Sequence, residues 1–328
     1  MAKTGGSSVA MALEFEKPIL QLEKQIAELV ATQEQKGVDY AAEISSLRQN
    51  LTALMRKTYQ NLSAWETVQV ARHPNRPQTR DYIEMIVKDF DELHGDRHFA
   101  DDKTIVTGMG RIGGHKVMLV GHHKGRDTKE KIACNFGCAH PEGYRKAMLK
   151  MQFAEKFGLP IVTFIDTPGA YPGVGSEERG VAEAIAVNLR EMSRLRVPVL
   201  CLVIGEGGSG GALGIGVGDR LAMMQFAWYS VISPEGCSGI LWKDASNAPV
   251  AAEALKLTSK HLKSLGIIDE IIEEPLGGAH RNAHAAADNV QKYIDKTLRE
   301  LKRVPIEKLV DQRYERLRKL GADAVGVA

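Results

Sequence analysis

Two uninterrupted apolar runs, "LPIVTFID" at 159–166 and "VPVLCLVI" at 197–204, flank the segment "EERGVAEAIAVNLREMSRL" at 177–195, whose apolar residues repeat with helical spacing. Strands that lack polar alternation are covered on both faces, and two of them joined through a helix run parallel. An α/β core built on a parallel sheet follows. The segments "DRLAMMQF" (219–226) and "WYSVIS" (228–233) read as two more strands, and "KTIVTGMGRIGGHKVMLVGHH" (103–123) as a pair joined by a glycine turn.

Helix signals surround this core. Ser63 and Glu66 have capping-box spacing ahead of a helix that ends at His73-Pro74. "RDYIEMIVKDFDELHG" (80–95) reads as one helix closed by Gly95, and "PEGYRKAMLKMQFAEKFG" (141–158) as one opened by Pro141 and stopped by Gly158. "SPEGCSGILW" opens a further helix with Ser, Pro and Glu in its first positions, and the tail from 281 is helical and charged. Ahead of the core, Ile19, Leu22, Ile26 and Leu29, then Ile44, Leu47, Leu51 and Leu54, fall three and four apart on either side of Gly37. This predicts an αα-hairpin over 14–60 with one narrow apolar stripe per helix, which needs a body or a partner to lie on. Residues 1–13 are expected to be a disordered N-terminus, and 61–328 to form the main domain, ending in the charged helices.

The bulk composition excludes several classes. With 328 residues, 44% hydrophobic and 26% charged, the chain reads as soluble and globular. A net charge of +2 gives no indication of nucleic-acid or membrane binding, and no apolar run reaches membrane-spanning length. Four unevenly spaced cysteines and the lack of a signal-peptide pattern point to reduced thiols and a cytoplasmic address.

Glycines concentrate at "GEGGSGG", 205–211, directly after a strand. Residues 205–210 match G-x-G-x-x-G, but more glycines at 211, 214, 216 and 218 weaken a long crossover helix, and the nearest acidic residue, Asp219, comes too early for a ribose contact. No Lys-Ser/Thr follows, so a phosphate-binding P-loop fails as well. What remains is a glycine turn feeding a short helix, with bare N–H groups where an oxyanion or enolate could sit. A second glycine-rich loop, "FIDTPGAYPGVGSEERG" (164–180), follows the preceding parallel strand, so both loops should open on one edge of the sheet.

These motifs carry a family resemblance. "DTPGAYPG", then "GEGGSGGALGIGVGD" and "SVISPEGCSGILW", with "WETVQVARHPNRPQTRDYI" and "ELHGDRHFADD" upstream, resemble the carboxyltransferase α subunits of bacterial acetyl-CoA carboxylase, from about Leu13 to about Lys319. The resemblance implies a crotonase/ClpP-like superfamily fold of repeated ββα units with the helical hairpin as an extension. It implies transfer of a carboxyl group from carboxybiotin, on the biotin carboxyl carrier protein, to acetyl-CoA, giving malonyl-CoA for fatty acid synthesis. It implies a β subunit that carries a zinc ribbon, an α₂β₂ heterotetramer, and a biotin carboxylase in the larger, ATP-consuming complex. No metal is expected in this chain.

By that resemblance the backbone donors lie among Gly207, Gly208, Gly210 and Gly211, with no pair singled out, and Ala212 beside them. Gly169, Ala170, Tyr171 and Gly173 would line the opposing wall, and Asp166 would hold its loop. "HHKGRDTKEK" supplies Lys124, Arg126, Lys129 and Lys131, read either as a solvated basic loop or as a contact for CoA phosphates or an acidic carrier domain. Cys134, Cys138 and His140 are too loosely spaced for zinc. A stand-alone hydratase or isomerase of the same fold is the alternative; it needs a protein acid or base, and Glu235 is the one suggestive carboxylate, although its place also suits helix-start stabilisation.

Overall fold

The computed structural model describes residues 12–321; the terminal residues 1–11, expected to be disordered, lie outside the described residues. Among the described residues eight strands form one sheet: β1 (Val87–Glu92), β2 (Ile105–Ile112), β3 (His115–His122), β4 (Ile161–Thr167), β5 (Val199–Gly208), β6 (Arg220–Met224), β7 (Trp228–Ser230) and β8 (Glu270–Ile272). The helices that precede β4 are α1 (Lys17–Lys36), α2 (Ala41–Gln60), α3 (Ala64–Ala71), α4 (Thr79–Ile86), α5 (Thr128–Ala133) and α6 (Pro141–Lys156). After it come α7 (Val174–Glu178), α8 (Val181–Arg194), α9 (Ser209–Leu213), α10 (Pro234–Trp242), α11 (Ala248–Ala254), α12 (Ser259–Ser264), α13 (Ala283–Leu301) and α14 (Ile306–Lys319).

The first three strands form an antiparallel meander, and from β3 onward the order β3-β4-β5-β6-β8 is parallel. β6 and β7 pair with successive stretches of β5, at Leu200–Val203 and at Glu206–Gly208. β4 and β5 are buried along their whole length, as the apolar residues that dominate 161–165 and 199–204 require, and the burial extends to Asp166 and Glu206 near their ends. Both expected caps form: Ser63 Oγ accepts the Glu66 N–H while the Glu66 carboxylate accepts the Ser63 N–H, and Ser233 Oγ accepts the N–H of Gly236.

One expected helix divides in two. The segment 80–95 is helical only to Ile86; Val87–Glu92 turns out as β1 against β2. The reason lies in the partner strand. A Cβ on Gly108 would stand 2.5 Å from the Phe90 ring, and one on Gly110 would stand 2.4 Å from Val87 Cγ1, so the glycines of β2 are the seats for two apolar side chains of β1. A register shift between Lys88 and Asp91, with Asp89 at φ 50°, marks a bulge in this strand.

At the N-terminus α1 and α2 pack as a hairpin, with Gly37 in the left-handed region closing α1. Ile19, Ile26 and Ile44 are buried, and the remaining stripe residues are half-buried. Among the described residues the base of the hairpin joins the body, where Ile19 and Tyr59 pack with Val70 and Phe226. Leu13, placed in the terminal segment by the sequence, packs on the same cluster. Buried Glu16 accepts the Tyr59 hydroxyl at 2.5 Å and lies 3.2 Å from His280 Nε2, so the joint contains a charge as well as an apolar patch.

At the other end of the chain, Arg313 of α14 is fully buried. It grips both carboxylate oxygens of Asp219 at 2.9 and 2.8 Å and donates to the carbonyls of Met192, Leu195 and Val197. This ties α14 to the end of α8 and to the turn that leads into β6.

Candidate active site

Because β4 and β5 are parallel neighbours, with Thr167 opposite Gly207, their C-terminal ends open on one edge of the sheet. Both glycine-rich loops therefore meet. The strand runs further than its apolar sequence suggests: Gly205–Gly208 continue β5, and the chain turns only at Ser209. Ser209 is exposed and holds φ 53°, a conformation that costs a residue with a Cβ on the order of 1 kcal/mol. Motif reading passed over this residue because its signal is a backbone angle.

The four glycines differ in their surroundings. A Cβ on Gly208 would lie 2.1 Å from the Pro168 carbonyl oxygen, and one on Gly211 would lie 2.4 Å from the Gly169 carbonyl carbon and 2.6 Å from the Ala170 nitrogen. A Cβ on Gly207 would meet the Tyr229 ring at 2.6 Å. These three positions are closed by protein. Around Gly210 the nearest atom is Ile185 Cδ1 at 3.7 Å, and the residue is half-buried, so the space beside it is open. Ala212 is buried directly behind the turn.

The opposing loop is braced from below. Thr167 Oγ1 lies 2.6 Å from the Gly137 carbonyl and 2.8 Å from that of Gly169, and it accepts the Gly169 N–H. The Tyr171 N–H donates to Ala139 O at 3.0 Å, and its ring lies against His140 with centroids 4.3 Å apart. Gly173 has the Tyr171 ring over it, 2.4 Å from where a Cβ would stand. Gly169, Ala170, Tyr171 and Gly173 are all half-buried at this edge. Burial drives the His122 imidazole down to about 3, against the pull of the Phe164 and Gly211 backbones, so a neutral ring lies beneath the site.

Asp166 is buried at the end of β4. Its Oδ1 accepts the Glu206 N–H at 2.9 Å and lies 2.7 Å from Lys124 Nζ. Lys124 also reaches Glu206 Oε2 at 3.2 Å. Glu206 Oε1 accepts from Arg72 Nε at 2.7 Å, and Arg72 pairs in turn with Glu235 on α10. Burial acts to raise the Glu206 pKa, but Lys124 and Arg72 more than offset it and hold the carboxyl below its ordinary value. Glu235 follows the same pattern: burial raises it, the Arg72 hydrogen bond wins, and the group is a bound carboxylate ill-suited to donate a proton.

The basic loop thus divides. Lys124, read from sequence as facing solvent or a phosphate, is turned inward, with only 17% of its side chain exposed. Arg126 is exposed but pairs with Asp81 and donates to the carbonyls of Pro74 and Arg76. Lys129 stays exposed on α5 and Lys131 is half-buried. Cys134, Cys138 and His140 do not converge. Among the described residues the one group that brings three ligand-type atoms within 4.8 Å is Glu16, His73 and His280, and Glu16 is already engaged by Tyr59, the Leu13 N–H and Arg281. Burial pushes the Cys134 thiol up to about 11, which keeps it protonated.

Comparison with known proteins places the fold and the family. Transcarboxylase 12S, solved with methylmalonyl-coenzyme A and methylmalonic acid bound, superposes with a TM-score of 0.52 at 22% identity over 65% of this chain and 41% of that one. The fold is that of the crotonase-fold carboxyltransferases. A family model described as acetyl co-enzyme A carboxylase carboxyltransferase-like matches residues 12–321. The acetyl-coenzyme A carboxylase carboxyl transferase subunit alpha of Rhodopirellula baltica is 57% identical over 310 residues, covering 94% of this chain and 97% of that protein. Its counterpart from Actinobacillus pleuropneumoniae is also 57% identical, over 94% of this chain and 98% of its own length. The chain belongs to the family of acetyl-CoA carboxylase carboxyltransferase α subunits, transferases of the acetyl-CoA carboxylase complex.

Proposed function

We propose that this chain lends backbone N–H groups of the Gly207–Gly211 turn to carboxyl transfer between carboxybiotin and acetyl-CoA, with malonyl-CoA as the product. The observation that carries the reading is the open space at Gly210 within a turn whose other glycines are closed by protein. A substrate oxygen can reach the main chain there, and one such donor is worth roughly 10²–10³ in rate where charge develops. Biotin, on its carrier protein, supplies the carboxyl group and a ureido oxygen able to take up negative charge. The part of this chain is to orient donors, to brace the Gly169–Tyr171 wall, and to keep the charged groups beneath the turn paired. The hydratase alternative is disfavoured because Glu235 is bound to Arg72.

The partners follow from the same reading. Val231, Ile240 and Leu241 expose 78%, 72% and 65% of their surface at and before α10, whose Glu235 joins the ion-pair chain under the turn. Uncovered apolar side chains beside a site are what a partner subunit buries. We assign that face to a zinc-bearing β subunit in an α₂β₂ assembly, which meets the carrier protein and biotin carboxylase in the cytoplasm. Lys129 and Lys131, with the exposed part of Arg126, are the cations left to meet CoA phosphates or an acidic carrier. The test is malonyl-CoA-dependent carboxylation of a free biotin analogue, by the purified chain alone and then with a β-type partner. Activity only with the partner supports the shared site. Activity of the chain alone would place the whole acyl-CoA site here and overturn the division of labour.

A further inference from the structure

A chain of charged side chains from five separate parts of the fold runs beneath the glycine turn, and backbone-donor chemistry makes no direct use of it. Lys124 follows β3, Asp166 ends β4, Glu206 lies in β5, Arg72 follows α3, and Glu235 opens α10. Two cations thus face three carboxylates. Arg76 and Tyr82 also interact with Asp166, and Cys138 with Glu206, while Arg76 itself is paired to Glu274. At the centre, Asp166 Oδ1 receives both Lys124 Nζ and the Glu206 N–H, and it lies so close to the main chain that a Cβ on Gly205 would stand 2.5 Å from it. The Asp166 carboxylate is therefore the clamp on the Gly205–Glu206 peptide, which leads directly into the turn. The Lys124 stem lies over Gly137, where a Cβ would meet its Cγ at 2.5 Å, and Gly137 O in turn meets Thr167 of the opposing loop.

We propose that Lys124 is a positioning residue for carboxyl transfer: its ammonium balances Asp166 and Glu206, so that Asp166 keeps the Glu206 N–H and the turn keeps its donor direction. The inference rests on the reading that this turn supplies the donors. Without Lys124, two carboxylates share a buried site and one takes up a proton. Burial holds Asp166 above the ordinary carboxylate range even with Lys124 beside it, and Lys124 is the largest force against that rise. A protonated Asp166 is a weaker acceptor, and the peptide it holds can rotate. Misplacement on the scale of 1 Å at such a site costs roughly 10²-fold in rate. Because the clamp acts on the turn, the loss should fall on kcat and spare KM for malonyl-CoA.

The test uses the chain assembled with its β-type partner and compares wild type, Lys124→Met, Lys124→Met/Asp166→Asn and Lys124→Met/Glu206→Gln. Methionine keeps the stem on Gly137, and asparagine keeps an oxygen for the Glu206 N–H. Lys124→Met should lower kcat by roughly 10–100-fold with little change in KM, and should add an ionisation to the pH profile that wild type lacks. Each double variant removes the extra buried charge and should recover at least about half of that loss on a logarithmic scale. Hydrogen exchange over residues 200–212 supplies a readout independent of activity: faster in Lys124→Met and slowed again in Lys124→Met/Asp166→Asn. If Lys124→Met does not fold, the double variants should still fold and turn over; failure of both would overturn the proposal. Unchanged kcat, a change in KM alone, or a loss that neither second substitution relieves would also overturn it. An inactive wild-type assembly would count against the carboxyltransferase reading, and the exchange pattern would then decide the clamp by itself.

Discussion

Gly211 and Gly169 pack main chain against main chain: a methyl on Gly211 would lie 2.4 Å from the Gly169 carbonyl carbon. The loop after β4 and the start of α9 therefore interlock through their main chains, which favours a turn that is shaped before substrate arrives. Preformed donors are those that need no reorganisation during the reaction.

Two neighbouring glycines should behave oppositely. Gly211→Ala forces the loops apart and should cost roughly 1–3 kcal/mol, seen as a lower Tm together with lost activity. Gly210→Ala, with 3.7 Å of clearance, should leave the Tm unchanged yet lower kcat by about 10²-fold if substrate touches the main chain there. Full activity in Gly210→Ala would mean that the space is not used.

Ser209 offers a third substitution at the same turn. Glycine tolerates φ 53° without strain, so Ser209→Gly should gain on the order of 1 kcal/mol in thermal unfolding. On the proposed reading, in which the N–H groups and not the hydroxyl act, activity should be retained. A kcat drop beyond tenfold would assign a task to the hydroxyl.

Acid should loosen the base of the hairpin. Burial pushes the Glu16 carboxyl up, but His280 and Tyr59 outweigh it and bring the pKa down to about 2 from an ordinary 4.5. A lowered folded-state value means that this stabilisation is complete above about pH 4.5 and is lost as the pH falls toward 2. Glu16→Gln removes it at every pH, at a cost of roughly 1.5–3 kcal/mol for a hydrogen-bonded charged group. Urea melts at pH 7 and pH 3.5 should show a wild-type-to-variant gap that narrows in acid; a constant gap would contradict the assignment.

Arg313→Ala leaves Asp219 as a buried, unpaired carboxylate and frees three carbonyls. Losing one partner of a buried pair costs about 3–5 kcal/mol, so α14 should detach and expose the end of α8 to protease. A variant that melts like wild type would show that α14 is held by its apolar face alone.

The outer hairpin can be tested apart from its base. Removing 14–60 outright would uncover Val70 and Phe226 and take Glu16 from His280 and Arg281. Bridging out residues 27–50 keeps Ile19, Glu16 and Tyr59 in place. That variant should keep a folded core by circular dichroism and lose subunit association in sedimentation. Full assembly would show that the outer hairpin is not a docking element.

Much of this architecture was legible in local chemistry. Unbroken apolar runs marked β4 and β5, three- and four-residue spacing marked the hairpin, and side-chain caps at Ser63 and Ser233 marked the starts of α3 and α10. Each signal lies within a few residues of the structure it dictates. Even the meeting of the two glycine-rich loops followed from parallel order alone.

Tertiary structure decided whatever depends on partners far away in the chain. The residues 87–92 left a helical pattern for a strand because the glycines of β2 offer seats to Val87 and Phe90. Lys124 turned from a surface cation into an inward-facing, half-buried one because Asp166 and Glu206, 42 and 82 residues later, converge on its ammonium. Which glycine serves packing and which leaves room for a ligand depended on Pro168, Gly169 and Ile185, supplied by other segments. Periodicity and capping are written within a turn or two of the chain, whereas charge balance and clearance are properties of atoms that only folding brings together.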